Sequence, residues 1–164
     1  MLEPGATVLY EGFLRMNLAA HRQIEPILAA SAIANVTPPW QLGHRLEALE
    51  ADARAFGVSA APSRPFPIAA PDLSQAFGMA YVLEGSRLGA KFLLKGLARA
   101  PAQNRPVGYL QASSDPEPFR RLLAALDREA LSPPDIERMV DAANRTFQYF
   151  RALTEGAAAR TELS

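Results

Sequence analysis

The stretch Phe77-Gly78-Met79-Ala80-Tyr81-Val82-Leu83-Glu84-Gly85-Ser86-Arg87-Leu88-Gly89-Ala90-Lys91-Phe92 constrains the fold more than any other part of the chain. Apart from its glycines it is composed as a helix, and the pattern predicts one from a cap at Asp72 or Ser74 to about Ala100. Each interior glycine costs a helix roughly 1 kcal/mol relative to alanine. Gly78, Gly85, Gly89 and Gly96 therefore need a reason. Gly85 and Gly89, one turn apart, leave bare backbone on one face beside Ser86 and Ala90. Two accounts are open: a second helix crosses tightly there, or a flat ligand lies against the backbone and the glycines let the helix bend over it. Glu84 and Arg87 read as a solvated face.

The remaining pattern is helical throughout, so the expected class is all-α. Tyr10, Phe13, Leu14, Leu18, Ile24 and Leu28 recur at helical spacing, with Pro26 placed to kink or end that helix. Residues 31–42 read as a loop in which Trp40 plugs the core. Leu46, Leu49, Ala53 and Phe56 mark a second helix from about Gly43, stopped by Gly57. Pro62, Pro65, Pro67 and Pro71 predict an extended connector rather than a domain boundary. Residues 101–115 read as a loop with Tyr109 and Leu110 turned inward. Asp115-Pro116 opens a helix carrying Phe119, Leu122, Leu123 and Leu126. Ser132-Pro133 opens the last, with Ile136, Met139, Val140, Ala143, Phe147, Phe150 and Leu153 as its stripe. No segment sustains period-two alternation, and residues 1–164 are expected to form one domain.

Composition removes several function classes. With no cysteine, disulfides, thiolate metal sites and cysteine nucleophiles are excluded. Seventeen basic residues offset seventeen acidic ones, so the whole chain carries no electrostatic footprint for nucleic acid or an anionic membrane. No apolar run approaches the ~18 residues of a membrane span, and no leader pattern is visible. The cytoplasm is the expected compartment. No Ser-His-Asp set, phosphate loop or metal-ligand cluster stands out, and the crowded Glu47, Glu50 and Asp52 read as a solvated face.

Ala80-Tyr81-Val82-Leu83-Glu84-Gly85-Ser86-Arg87-Leu88-Gly89 resembles the distal-helix signature of bacterial heme oxygenases, particularly those associated with bacteriophytochromes. Trp40 with Arg45, then Leu49-Glu50-Ala51-Asp52 and Gly57, resembles the helix before that family's proline-containing connector. Ala143 to Phe150 resembles its final helix. The likeness runs from Tyr10 onward. It implies a helical domain that sandwiches heme, as substrate and cofactor, and cleaves it to biliverdin. Gly85 and Gly89 match the distal glycines, and Ser86 lies in the segment that meets ligand and water; these three are the catalytic candidates. Ala90 departs from the usual second glycine of the closing pair. Tyr81, Arg87 and Phe147 are further candidate contacts to the macrocycle. Lys91, Lys95, Arg145 and Arg151 are candidates for pairing with heme propionates, because charge-assisted bonds to carboxylates are strong.

The family's proximal histidine sits on its first helix. In one register Asn17, His21 and Glu25 match that helix's polar, histidine and acid positions, making His21 the iron ligand; too little chain then separates His21 from Leu49. In the other, Tyr10, Phe13-Leu14 and Ile24-Glu25-Pro26-Ile27-Leu28 match the family's second helix, and Trp40, Arg45 and Asp52 follow without a gap. The second is preferred, and on it the proximal helix is missing from the front of the chain. An apolar face of a few hundred Å² is then expected, covered by a second copy or a partner protein, unless the helices collapse into the vacated space. A degenerate, non-catalytic relative that binds a partner or a tetrapyrrole in signalling is the alternative to an active enzyme. His44 reads as a surface or capping residue.

Overall fold

The computed structural model describes residues 4–37, 40, 45–98 and 108–162, with side chains described over 10–37, 40, 45–86 and 108–155. It is all-α, and among the described residues there is no strand. The chain runs through α1 (Pro4–Ala29), a short 3-10 turn (Ala32–Asn35), α2 (Arg45–Phe56), α3 (Leu73–Ala98), α4 (Gly108–Ser113), α5 (Glu117–Arg128) and α6 (Pro133–Glu162).

Local chemistry accounts for most of the boundaries. Pro26 lies inside α1, and the helix ends one turn beyond it. Gly57 closes α2 with φ 76°. Its N–H bonds the Arg54 carbonyl while the Val58 N–H reaches back to Ala53, both orphan-carbonyl bonds of a left-handed helix stop. Asp72 rather than Ser74 caps α3: its Oδ1 accepts the Gln75 N–H at 2.8 Å, and Gln75 Oε1 accepts the Asp72 N–H at 3.0 Å. Asp115 accepts the Glu117 N–H at the head of α5, and Ser132 exchanges bonds with Asp135 at the head of α6. Arg138 then joins Asp135 to Asp72, tying the starts of α6 and α3 together.

α4 is a correction to the sequence reading, which made 101–115 a loop. Six residues are too few to show a period, and the N-terminal N–H groups of this turn find their acceptor on another helix. Asp52 Oδ1 takes the Gly108 N–H at 3.1 Å and Oδ2 takes the Tyr109 N–H at 2.8 Å. Asp52 is thus buried against α4 and not on a solvated face. Burial holds its carboxyl above the usual value, and the two N–H bonds work against that rise. Tyr109 and Leu110 do pack inward, as expected.

Two apolar clusters form the core. The larger joins Ile24 and Leu28 of α1, Trp40, Phe77 and Leu83 of α3, Leu122 of α5 and Leu153 of α6, with Phe66 and Ile68 of the connector. The smaller joins Tyr10, Leu14 and Leu18 to Leu49, Ala53, Tyr109 and Leu110. The prolines keep 58–71 extended, yet the connector is strapped down: Phe66 meets the Tyr149 ring edge-on at 5.2 Å, and the Tyr149 hydroxyl donates to the Arg64 carbonyl at 2.5 Å.

That strap titrates. Burial raises the Tyr149 phenol above its ordinary 10.0, opposed by a hydrogen bond with Ser63. The folded chain thus holds this proton more tightly than the unfolded one. Its contribution is complete below pH 10.0 and is lost as the pH rises through the folded value. Denaturation midpoints measured across that range should fall for the native chain. Tyr149→Phe should remove this part of the fall, at a cost of about 1 kcal/mol at neutral pH for the lost bond.

Candidate functional site

The two central glycines that look alike in sequence do different work. A Cβ added at Gly78 would overlap the Met139 carbonyl oxygen and lie 3.0 Å from Ala143 N, so this is where α3 and α6 cross closely. A Cβ added at Gly85 would meet nothing within 4 Å. The tight-crossing account therefore applies to Gly78 and fails at Gly85, whose bare backbone faces a cavity. Gly89, Arg87, Lys91 and Lys95 belong to α3, but their side-chain environment lies outside the described residues.

That cavity, about 490 Å³, lies between α3 and α6 and is lined by Tyr81, Val82, Gly85, Ser86, Phe147 and Phe150. Its size is typical of a small-molecule or cofactor site. The wall is mostly aromatic and apolar, with two hydroxyls, those of Tyr81 and Ser86. Phe147 is 64% exposed, an unusual state for a phenylalanine on a long helix, and Tyr81 is also exposed while packing on Phe119 at 5.7 Å. The sequence candidates Tyr81, Gly85, Ser86 and Phe147 are thus brought together.

Ser86 is held in place from behind. Its Oγ donates to the Leu83 carbonyl at 2.6 Å and accepts from Arg45 Nη2 at 2.9 Å. Arg45 is 1% exposed, and its guanidinium reaches four neutral oxygens. Nε donates to Ser113 Oγ at 3.1 Å, Nη1 to the Leu83 carbonyl at 2.8 Å, and Nη2 also to the Tyr109 hydroxyl at 2.9 Å. One side chain from α2 thus clamps α3 to α4 just behind the cavity wall. A side-chain donor brought to a helix carbonyl is one of the physical causes of local bending. The sequence reading used Arg45 for its likeness and missed this role; an arginine at a helix start that reads as exposed carries no periodicity signal.

His21 is elsewhere. It is 0% exposed, and its ring meets Tyr109 edge-on. Its Nδ1 lies 2.6 Å from Glu25 Oε2 and its Nε2 3.3 Å from the Tyr109 hydroxyl, which also donates to Asn17 Oδ1. His21 is absent from the cavity wall, and both ring nitrogens are engaged within the protein. In this structure the Asn17, His21, Glu25 spacing builds a buried polar cluster between α1 and α4. One smaller correction follows from burial. Glu84 is 1% exposed and faces inward, so it is no part of a solvated face. Arg145 and Arg151, expected near propionates, are exposed and pair along their own helix with Asp141 and Glu155. Such surface pairs contribute little. Trp40 does plug the core, with its indole N–H lacking a partner among the described residues.

Among the described residues no group of histidine and carboxylate side chains is placed to hold a metal ion, and no helix is long and apolar enough to cross a membrane. The family model described as heme oxygenase matches residues 10–156. A curated heme oxygenase of Xanthomonas campestris pv. campestris (strain 8004) is 31% identical over 113 residues, covering 68% of this chain and 67% of that protein. No solved structure matches the chain. With the distal signature now seen to line a cavity, and the match running along most of the sequence, the chain belongs to the heme oxygenase family.

Proposed function

We propose that this protein binds a tetrapyrrole in the α3–α6 cavity, with the macrocycle's face against Gly85 and its edges among Tyr81, Phe147 and Phe150. The observation that carries this reading is Gly85: a helix glycine with open space where its Cβ would be, in a wall of aromatic side chains. Burying a flat apolar ring there is favourable at roughly 25 cal/mol per Å² removed from water. The Ser86 hydroxyl, fixed by Arg45, and the Tyr81 phenol are the polar groups on the described wall. Heme is the ligand that family membership implies, and its cleavage to biliverdin the reaction. The wall fits the macrocycle. It does not fit the iron in the family's manner, because among the described residues no imidazole lies on it, so no step of cleavage is assigned to these residues.

Titrating the purified chain with heme tests the site. Gly85→Val, which projects a side chain into the cavity, should weaken uptake at least tenfold while the far-ultraviolet circular dichroism stays helical. Gly85→Ala should raise the stability of the unliganded protein by up to about 1 kcal/mol, since it gains helix propensity and meets no atom. Native-like uptake by Gly85→Val would move the site elsewhere.

A second reading, a protein partner or second copy lying on this wall, draws on the apolar surface beside the cavity. Ile136, Val140 and Phe147 of α6 are all exposed and fall within one narrow arc of the helix. Sedimentation of the native chain against Val140→Glu separates the two: a mass that halves on substitution supports self-association.

A further inference from the structure

We infer that the α3–α6 cavity recognises the tetrapyrrole ring and not its metal, so that iron-free tetrapyrroles, cyclic or open-chain, are ligands of the same rank as heme. This rests on the reading that the cavity takes a tetrapyrrole at all. Iron in a porphyrin is held by imidazole, thiolate, thioether or phenolate side chains. The chain has no cysteine and two histidines. His21 is enclosed, its nitrogens directed to Glu25 and Tyr109 and its side chain absent from the wall. The other histidine, His44, lies outside the described residues.

The methionines near the core are spoken for as well. Met79 is fully buried, Met139 packs against the larger cluster, and Met16 accepts the Thr154 hydroxyl. None of the three lines the cavity. Tyr81 is the one side chain of an iron-ligating type on the described wall. The rest of the described wall is Val82, Phe147, Phe150, the Gly85 backbone and the Ser86 hydroxyl, which is hydrogen-bonded to Leu83 and Arg45 and is not an iron ligand of these types. Such a wall contributes the same contact to a porphyrin whether the ring holds iron or protons. In the bilin the opened ring keeps the flat conjugated pyrroles that the wall touches. Discrimination by metal needs a directional donor, and the described wall offers one phenol.

The test uses the full native chain with three probes: heme, metal-free protoporphyrin and biliverdin. Quenching of Trp40, the single tryptophan, serves as a readout common to all three. The expected result is three dissociation constants within about tenfold of one another. Phe147→Ala should weaken all three by a similar factor, and Tyr81→Phe should shift heme and metal-free protoporphyrin alike. His44→Ala should leave the heme-to-protoporphyrin ratio near one. A heme preference above 100-fold, or a ratio that collapses in Tyr81→Phe or His44→Ala, overturns the inference and leaves the tetrapyrrole site standing with an iron ligand assigned. Failure of all three probes to bind overturns the site itself and the inference with it. Neither result depends on substituting the buried His21.

Discussion

Replacing Arg45 by methionine is expected to destabilise the fold by roughly 4 kcal/mol, lowering Tm by on the order of 10 °C. The guanidinium makes four hydrogen bonds, to Ser113, Leu83, Ser86 and Tyr109, and its carbon lies 5.2 Å from the Tyr109 ring centre. Hydrogen bonds involving a charged group contribute about 1.5–3 kcal/mol each. Against them stands the desolvation of a buried cation, several kcal/mol. The bonds win, but not by their full sum. Methionine keeps the apolar volume, so the loss measures the bonds and not a cavity. Arg45→Lys should be no better, since one ammonium on a flexible stem cannot span oxygens on both α3 and α4. Heme uptake should fall in both variants, because Ser86 loses the bond that fixes it. Equilibrium denaturation decides the matter: a methionine variant within 1 kcal/mol of the native chain would remove Arg45 from its place behind the cavity.

Gly78→Ala is the second large effect, and its sign runs against helix propensity. Propensity alone predicts a gain of about 1 kcal/mol. The added methyl would overlap the Met139 carbonyl and lie 3.1 Å from the Met139 carbonyl carbon, and backbone cannot rotate aside as a side chain can. α6 must shift along its crossing with α3. Overpacking of this kind costs up to about 3 kcal/mol, so a net loss of about 2 kcal/mol is expected. The same substitution seven residues on, Gly85→Ala, should be stabilising. Thermal melts of the two variants side by side should bracket the native Tm. If both move the same way, the assignment of one glycine to packing and the other to the cavity is wrong.

The exposed aromatic wall carries a cost that the proposed tetrapyrrole would offset when bound. Phe147 and Tyr81 stay open to solvent although apolar burial would stabilise the fold. On the proposed reading, a small ligand or a second chain covers this surface in use. The titrations and the sedimentation comparison distinguish a small ligand from a chain.

Much of this protein was legible in one dimension. Helix positions follow from apolar spacing, and their ends from Asp72, Gly57 and Ser132-Pro133, because caps and periods are local properties satisfied within a few residues. The ten-residue distal signature likewise pointed to the family and to Tyr81, Gly85 and Ser86, and the likeness of the final helix to Phe147. What lay beyond it was every question of which neighbour a residue meets. Gly78 and Gly85 share a helix and differ only in what stands across from them, a carbonyl of α6 or a cavity. Asp52 and Glu84 read as solvated because charge usually is, yet Asp52 is drawn in by orphan N–H groups 56 and 57 residues away. α4 is too short to announce itself and is capped by another helix. His21 matched a ligand by spacing and turned out to serve Glu25 and Tyr109. Spacing along a chain sets the face a side chain occupies; only the packing of α1, α2, α3, α4 and α6 decided what that face looks onto.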